Sequence, residues 1–302
     1  MKIVYFGTPE FAVIPLNKLI HSPEIKVTAV ITQPDKPVGR KKMLTPPPVK
    51  MAALTEDIPV HQPKNRKELL ETLSKLKADF FIVVAYGEIL TEEMLEMPKY
   101  GAINLHGSLL PNYRGASPIQ ESLINGDKET GITVMEMDED LDQGPIYMMR
   151  RITIEENDNA QTLGPKLSAV GAEILPFALQ DIVDGVLSPI PQDHSKANYC
   201  KKISKEDGEI DFKNHTAEEI LNKIRAYTPW PTVYTKIADK KLQIVAAKEA
   251  ENTIKAGEFE IDGKKLLVGT KKGTLQLEKV KLEGKNEMDS ASFINGYKNL
   301  II

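Results

Sequence analysis

The chain has 302 residues, a length that suits two domains better than one. Hydrophobic residues make up 41% of it and charged residues 27%, which is typical of an ordinary globular protein. The net charge of −4 argues against a protein that coats nucleic acid over its whole surface. The single cysteine, Cys200, rules out an internal disulfide framework and fits a reducing compartment.

The apolar segments are too short to act in targeting or membrane insertion. The N-terminal run MKIVYFG is shorter than the core of a secretory signal and has no small-residue cleavage site. The longest uninterrupted apolar run, 80–86, falls far short of the roughly 20 residues that span a bilayer. We therefore expect a soluble, cytoplasmic protein with no membrane partner.

The first half of the sequence alternates short apolar runs with helical patterns. Strands are predicted at 3–6, 27–31, 80–85 and 102–105, and an amphipathic helix is predicted at 67–77. This alternation predicts an α/β fold with a mostly parallel sheet covered by helices on both faces. Such sheets bind ligands beyond the carboxyl ends of their strands.

The turn after the first predicted strand has two interpretations. The segment GTPEFA could begin a phosphate-binding loop, but it lacks the glycine spacing of a dinucleotide site. We therefore predict a tight turn at Gly7, with Thr8 as a helix N-cap and Pro9 in the first helical turn.

Further along the chain, two strands at 132–137 and 146–154 and a long helix at 159–184 are expected to complete the first domain. Prolines between 188 and 199 indicate an extended linker. Beyond it, a helix predicted at 217–226 precedes several short β-rich runs with glycine turns. Such runs predict a small antiparallel β-barrel.

These patterns divide the chain into a first domain at 1–188, a linker at 189–204 and a C-terminal domain at 205–302. The charge differs between the two parts: it is −7 over residues 1–200 and +3 over residues 201–302. A basic module beside an acidic one would suit a polyanionic partner, but a net charge of +3 on about a hundred residues by itself favours an ordinary charge distribution.

Three polar residues at predicted strand ends and turns could carry chemistry together. Asn104 and His106 are two residues apart on an extended segment, so their side chains can project to one side. Asp142 lies in the turn DEDLDQGPI, between two predicted strands. An amide, an imidazole and a carboxylate suit acyl transfer to an amine, because donors can hold the developing oxyanion while a carboxylate helps to move the proton.

The sequence does not place a serine or cysteine nucleophile beside a second base, so direct attack by a substrate amine is the simpler mechanism. The five histidines have no ligand-like spacing, and we therefore expect no metal. Spacing alone does not decide the matter, because a histidine at a strand end is more often structural.

The segment INLHGSLLPNYRGASPIQ at 103–120, followed by LDQGPI at 141–146, resembles the folate-dependent formyltransferases. The resemblance extends to IVYFGTPEFAV, to QPDKPVGRKKMLTPPPVK and to IRAYTPWP, and so covers nearly the whole chain. It is strongest to the branch of that family that formylates methionine on initiator tRNA. One departure is Gln143, where relatives often carry threonine.

The resemblance implies a Rossmann-like catalytic domain, a C-terminal OB-like barrel and 10-formyltetrahydrofolate as co-substrate. It implies that Asn104, His106 and Asp142 are catalytic. It also implies a folate pocket lined by Ser108, Leu109, Leu110 and Pro111. The expected partners are folate and initiator methionyl-tRNA, and we expect the chain to act as a monomer.

The segment 33–48 is a basic loop within an otherwise acidic domain. Its cations are Lys36, Arg40, Lys41 and Lys42, and only Asp35 opposes them. Such residues could contact the phosphates of a nucleic acid or could simply be solvated. The resemblance favours tRNA contact, with Arg40 at the position of a tRNA-contacting arginine. The alternatives are a sister formyltransferase that acts on a small amine, such as a glycinamide ribonucleotide or an amino-sugar nucleotide, and a catalytically silent tRNA-binding protein.

Overall fold

The computed structural model describes residues 1–39 and 41–301. These residues form two compact units, the first made of 1–118, 129–153 and 164–200 and the second of 119–128, 154–163 and 201–302. The predicted linker is thus divided between them after Cys200. Within the described part of the chain, no helix has the length and apolar character needed to cross a membrane.

The first unit is built on a mixed β-sheet that runs in the order β10-β9-β7-β6-β1-β2-β5. The strands up to residue 200 are β1 (Lys2–Gly7), β2 (Lys26–Ile31), β3 (Lys36–Val38), β4 (Met43–Thr45), β5 (Val60–His61), β6 (Phe80–Val84), β7 (Ala102–His106), β8 (Arg114–Gly115), β9 (Glu129–Glu136), β10 (Ile146–Thr153) and β11 (Tyr199–Cys200). From β7 to β5 the neighbouring strands are parallel, whereas β9 and β10 are antiparallel. The prediction of a mostly parallel sheet is confirmed.

Helices accompany these strands. They are α1 (Val13–Ile20), α2 (Pro48–Thr55), α3 (Arg66–Leu73), α4 (Glu92–Leu95), α5 (Pro118–Ile124) and α6 (Ala160–Val183). The helices predicted at 67–77 and 159–184 are found as α3 and α6, whereas α2, α4 and α5 were not predicted. One face of the sheet, which includes Val4, Phe81 and Ala102, packs on apolar residues of α3 and α4. On the other face, Gly171 of α6 lies so close to Leu105 that a Cβ there would come within 2.6 Å of the leucine side chain.

The start of the first helix differs from the prediction. Thr8 is not an N-cap: a short 3₁₀ turn at Glu10–Ala12 follows Pro9, and α1 begins at Val13 without a side-chain cap. The Thr8 hydroxyl instead donates to the carbonyl of Tyr86 over 2.9 Å and accepts a hydrogen bond from the backbone N–H of Gln33. The carboxyl ends of neighbouring parallel strands lie at the same edge of the sheet. The Thr8 hydroxyl therefore links the end of β1 to the segments that follow β6 and β2.

The second unit contains α7 (Ala217–Ala226), α8 (Ser290–Tyr297) and an antiparallel sheet. Its strands are β12 (Val233–Ile237), β13 (Lys240–Ala250), β14 (Phe259–Asp262), β15 (Lys265–Gly269), β16 (Thr274–Leu282) and β17 (Met288–Asp289). The order is β12-β13-β16-β15-β14, with β17 beside β16. A complete capping box at Thr216 and Glu219 begins α7. The predicted helix and antiparallel strands are confirmed. β12 and β14 lie at the two ends of the strand order.

Candidate active site

The centre of the candidate site lies at the carboxyl end of β7. Asn104 pairs with Val83 of the parallel strand β6 and with Met135 of β9, and His106 pairs with Thr133 of β9. Since side chains alternate along a strand, Asn104 and His106 project from the same face as Ala102, as the sequence predicted. The parallel part of the sheet thus presents both residues at the edge where such folds bind ligands.

The His106 ring is buried and held by a backbone group. Its Nε2 lies 2.9 Å from the carbonyl oxygen of Tyr113, and only 6% of its side chain is exposed. A carbonyl oxygen can only accept, so Nε2 carries the proton in the neutral ring. The other nitrogen, Nδ1, is therefore unprotonated in the neutral ring and faces the carboxylate of Asp142, with 3.7 Å between Nδ1 and Oδ2.

Asp142 is fixed in an unusual backbone conformation. Its φ of 54° lies in the left-handed region, and its Oδ2 accepts a hydrogen bond of 2.7 Å from the backbone N–H of Gly115. Gly144 approaches Glu136 so closely that a Cβ would lie 2.0 Å from the carbonyl oxygen of Glu136. The turn that carries Asp142 therefore packs closely on β9, and the Asp142 carboxylate lies near His106.

The side-chain amide of Asn104 has an oxygen for which the described residues offer no partner. Its Oδ1 is fully buried and accepts no hydrogen bond from any described residue. An unsatisfied buried amide oxygen costs on the order of 1–3 kcal/mol. Such an atom beside an anchored imidazole marks a position where a bound polar group could supply the missing bond.

The segment predicted to line a folate pocket is a rigid turn. The Ser108 hydroxyl is buried and donates to the carbonyl of Asn112 over 2.6 Å. Thr133 donates to the carbonyl of Ser108 and accepts from the N–H of Leu110, which is also buried. Leu109 and Pro111 are partly exposed, so these two side chains are the ones available for ligand contact.

The basic segment at 33–48 forms a hairpin in which β3 and β4 pair antiparallel. Lys36, Lys41 and Lys42 are exposed on it, and Lys42 adopts a positive φ of 48° in the turn. Arg40 lies outside the described residues. The base of the hairpin is held by Lys50, whose Nζ lies 2.9 Å from both carboxylate oxygens of Asp35.

Residues 1–179 match the formyl transferase family, and residues 202–298 match the family of formyl transferase C-terminal domains. The chain belongs to the formyl transferase family. The resemblance that the sequence motif indicated is thereby confirmed.

Relatives within the formyl transferase family match along nearly their full length. A protein of Caldicellulosiruptor saccharolyticus named methionyl-tRNA formyltransferase is 44% identical over 306 residues, covering 99% of this chain and 97% of the relative. A protein of the same name from Thermodesulfovibrio yellowstonii is also 44% identical, with 98% and 96% covered. A solved N-formyltransferase of Helicobacter canadensis, in complex with folinic acid and dTDP-3-aminofucose, shares the fold at 22% identity, with a TM-score of 0.69 over 92% of this chain and 98% of that one.

Two buried polar residues beside the Asp142 turn were not singled out from the sequence. Arg114 stands in the motif at 103–120, and Gln192 stands in the predicted linker. Both side chains are buried, Arg114 at 1% and Gln192 at 6% exposure, and they contact each other. A charged residue inside a glycine-rich motif was the available signal for Arg114, whereas nothing local marks Gln192, because its partners lie about 50 and 80 residues away.

Proposed function

We propose that this chain transfers a formyl group from 10-formyltetrahydrofolate to the free amino group of methionine on initiator methionyl-tRNA. The full-length relatives at 44% identity that carry this name support the choice of reaction. The observation that carries the mechanism is the constellation at the end of β7: an unpartnered Asn104 amide beside an imidazole whose nitrogens have distinct partners.

The site fits a formyl donor by the chemistry of its polar groups. The buried Oδ1 of Asn104 is an acceptor without a described partner, so it fits the N–H of the attacking amine, while the NH₂ of the same side chain can donate to the formyl oxygen. The folate supplies the formyl carbonyl and leaves as tetrahydrofolate. Leu109 and Pro111 are the partly exposed members of the turn that would lie against it, with Ser108 and Leu110 holding that turn from within.

Asn104 is proposed to orient the reacting groups. Its amide N–H₂ can donate to an oxygen that gains negative charge when the amine attacks, while Oδ1 can accept from the amine. One preorganised donor of this kind contributes about 3–4 kcal/mol to lowering a barrier. The position of Asn104 is fixed because it pairs with strands on both sides.

His106 and Asp142 are proposed to handle the proton. Because Nε2 keeps its proton for the Tyr113 carbonyl, Nδ1 is the nitrogen that can gain one, on the side of Asp142. The resulting imidazolium is stabilised by the carboxylate 3.7 Å away, and its positive charge stabilises the nearby oxyanion. Asp142 would thus assist His106 while the proton moves from amine to leaving group.

The exposed lysines of the hairpin are proposed to contact the tRNA backbone. Lys36, Lys41 and Lys42 lie on one short hairpin that extends into solvent. Contacts of this type position a nucleic acid without reading its sequence and weaken as salt rises. We place Arg40 in the same proposed role from the sequence motif alone. We further propose that the chain works as a monomer, and its single cysteine, a buried thiol, fits the reducing cytoplasm.

A single-turnover assay with labelled formyl donor and aminoacylated initiator tRNA tests the proposal. We expect label to appear on methionine at low salt, and Asn104→Ala, His106→Ala and Asp142→Ala each to cut the rate by orders of magnitude without unfolding the protein. Transfer to a glycinamide ribonucleotide or an amino-sugar nucleotide, with none to methionyl-tRNA, would instead favour a sister formyltransferase. Donor binding without transfer to any amine would favour a silent tRNA-binding protein.

A further inference from the structure

The guanidinium of Arg114 is a buried cation that donates its described hydrogen bonds to neutral groups, while its charge also interacts with the carboxylate of Asp138. Nε and Nη2 donate to the side-chain oxygen of Gln192 over 3.1 and 2.8 Å. Nη1 donates to the phenol oxygen of Tyr199 over 3.2 Å, and Nη2 lies 3.3 Å from Nδ1 of His194. A buried guanidinium stays charged, so burial against neutral acceptors has a cost that a merely structural contact would not require.

Gln192 hydrogen-bonds both to Arg114 and to the turn that carries Asp142. Its side-chain oxygen accepts the two bonds from Arg114, which aims the NH₂ group of the same amide in the opposite direction. That NH₂ donates to the backbone carbonyls of Asp142 and Gly144, over 2.9 and 2.7 Å. The charged partner polarises the amide, and polarisation strengthens the bonds that the NH₂ group makes.

The Asp142 turn needs such support. Asp142 has a positive φ of 54°, a conformation that costs an ordinary residue of order 1 kcal/mol or more unless its surroundings hold it. The backbone next to Arg114 also supports the turn, because the N–H of the following residue, Gly115, donates to Oδ2 of Asp142. One short segment therefore fixes both the carboxylate and, through Gln192, the backbone that bears it.

We propose that Arg114 acts through Gln192 as a positioning pair, which holds the Asp142 turn so that the carboxylate faces Nδ1 of His106. The pair touches neither substrate nor reacting atom. It sets the 3.7 Å separation on which proton transfer depends, and an error of about 1 Å in such a separation can cost on the order of 100-fold in rate. The inference rests on the proposed function only for the identity of the reaction that it serves.

The decisive variant is Gln192→Glu, which keeps the size of the side chain and an acceptor oxygen for both bonds from Arg114. It replaces the NH₂ group by an oxygen, so the carbonyls of Asp142 and Gly144 lose their donor and meet a like partial charge. We expect kcat for formyl transfer to methionyl-tRNA to fall ~10- to 100-fold, with KM for tRNA and donor within about twofold of wild type. Gln161→Glu, at an exposed position on α6, is the matched control and should keep wild-type values.

Two further variants separate positioning from simple stability. Gln192→Met adds no charge and should lower kcat as Gln192→Glu does, at a temperature where circular dichroism shows both proteins folded. Arg114→Lys keeps the charge but loses the planar fork, and combined with Gln192→Glu it should add little further loss, because Arg114 acts through Gln192.

The kcat and KM values of the variants are compared with those of the wild-type protein in the same assay. Wild-type kcat in the folded Gln192 variants, or a loss confined to KM, would overturn the positioning role. Additive losses in the double variant would overturn the connection to Arg114. Failure of the wild-type protein to formylate methionyl-tRNA would instead contradict the proposed function, so the two failures are distinct.

Discussion

The Nε2–H of His106 donates to the backbone carbonyl of Tyr113 over 2.9 Å, and this contact determines which nitrogen of the neutral ring carries the proton. Tyr113 itself has a φ of 58°, so its carbonyl is turned toward the histidine by a constrained backbone. The site therefore fixes its tautomer with a main-chain group and leaves Nδ1 to face Asp142.

A substitution of His106 by glutamine separates the structural contact from the chemistry. The glutamine amide can still donate to the Tyr113 carbonyl, but it cannot take up a proton. We expect His106→Gln to remain folded and to lose on the order of 10²- to 10⁴-fold in kcat. The control is His21→Gln, at an exposed position on the edge of α1, which should keep full activity. Wild-type turnover of His106→Gln would contradict the assignment.

An aspartate at position 104 tests the donor role of Asn104. Asn104→Asp keeps shape and Oδ1 but replaces the NH₂ donor by an oxygen, and it places a negative charge where an oxyanion is proposed to form. We expect kcat to fall by about 10²- to 10³-fold with a smaller change in the Kd of the donor. Single-turnover rates and equilibrium binding of a labelled folate distinguish the two effects, and equal losses in both would argue for a binding role only.

The exposed hairpin lysines should act on tRNA binding and not on the chemical step. The double variant Lys41→Gln/Lys42→Gln is expected to raise KM for methionyl-tRNA with little change in kcat. The slope of log K against log salt should shrink by about two, one for each lost phosphate contact. Lys75→Gln/Lys77→Gln, which removes the same charge from exposed positions after α3, is the matched control. An unchanged salt slope in the hairpin variant would exclude phosphate contacts.

The ion pair at the base of the hairpin predicts a pH-dependent contribution to stability. Hydrogen bonds from Gln62 and from Lys50 lower the pKa of Asp35 from its ordinary 3.8. Because the folded pKa is depressed, this stabilisation is complete above the unfolded-state pKa and is lost as pH falls through the folded value. Gln62→Leu should therefore lower the unfolding midpoint equally at pH 7 and about pH 5, and the difference from wild type should shrink below pH 3.8. A difference that persists in acid would show that lost packing, and not the carboxylate, is responsible.

A methyl group at Gly115 should disturb the site through the backbone. Gly115 has a φ of 119°, and a Cβ there would lie 2.2 Å from the carbonyl oxygen of Cys200. Gly115→Ala is expected to lower both stability and kcat, since the N–H that holds Asp142 must move. Gly164 in α6 has open space around it, so Gly164→Ala should stabilise by about 0.4–1 kcal/mol. Thermal unfolding and turnover of both variants make the comparison.

Local pattern was enough to predict most of the elements. Continuous β-branched and aromatic runs, such as the buried strand at 80–84, report directly on a parallel sheet because both of its faces are covered. The capped helix at 217–226 was predicted with its observed bounds, because its periodicity and its N-terminal start signal are also local. The prediction of Thr8 as a helix N-cap was wrong because its hydroxyl instead bonds to backbone groups that follow two other strands.

The sequence by itself determined the order of the elements, the pair Asn104 and His106 on one face of β7, and the motif that resembles the formyl transferases. Only the tertiary structure decided which ring nitrogen of His106 faces Asp142, and that Gln192, from the predicted linker, joins Arg114 to the Asp142 turn. Periodicity and spacing act over a few residues, whereas the contacts that Asp142 makes with His106 and Gln192, and that Gln192 makes with Arg114, join residues about 30 to 80 positions apart. They exist only after the sheet has brought its strand ends together.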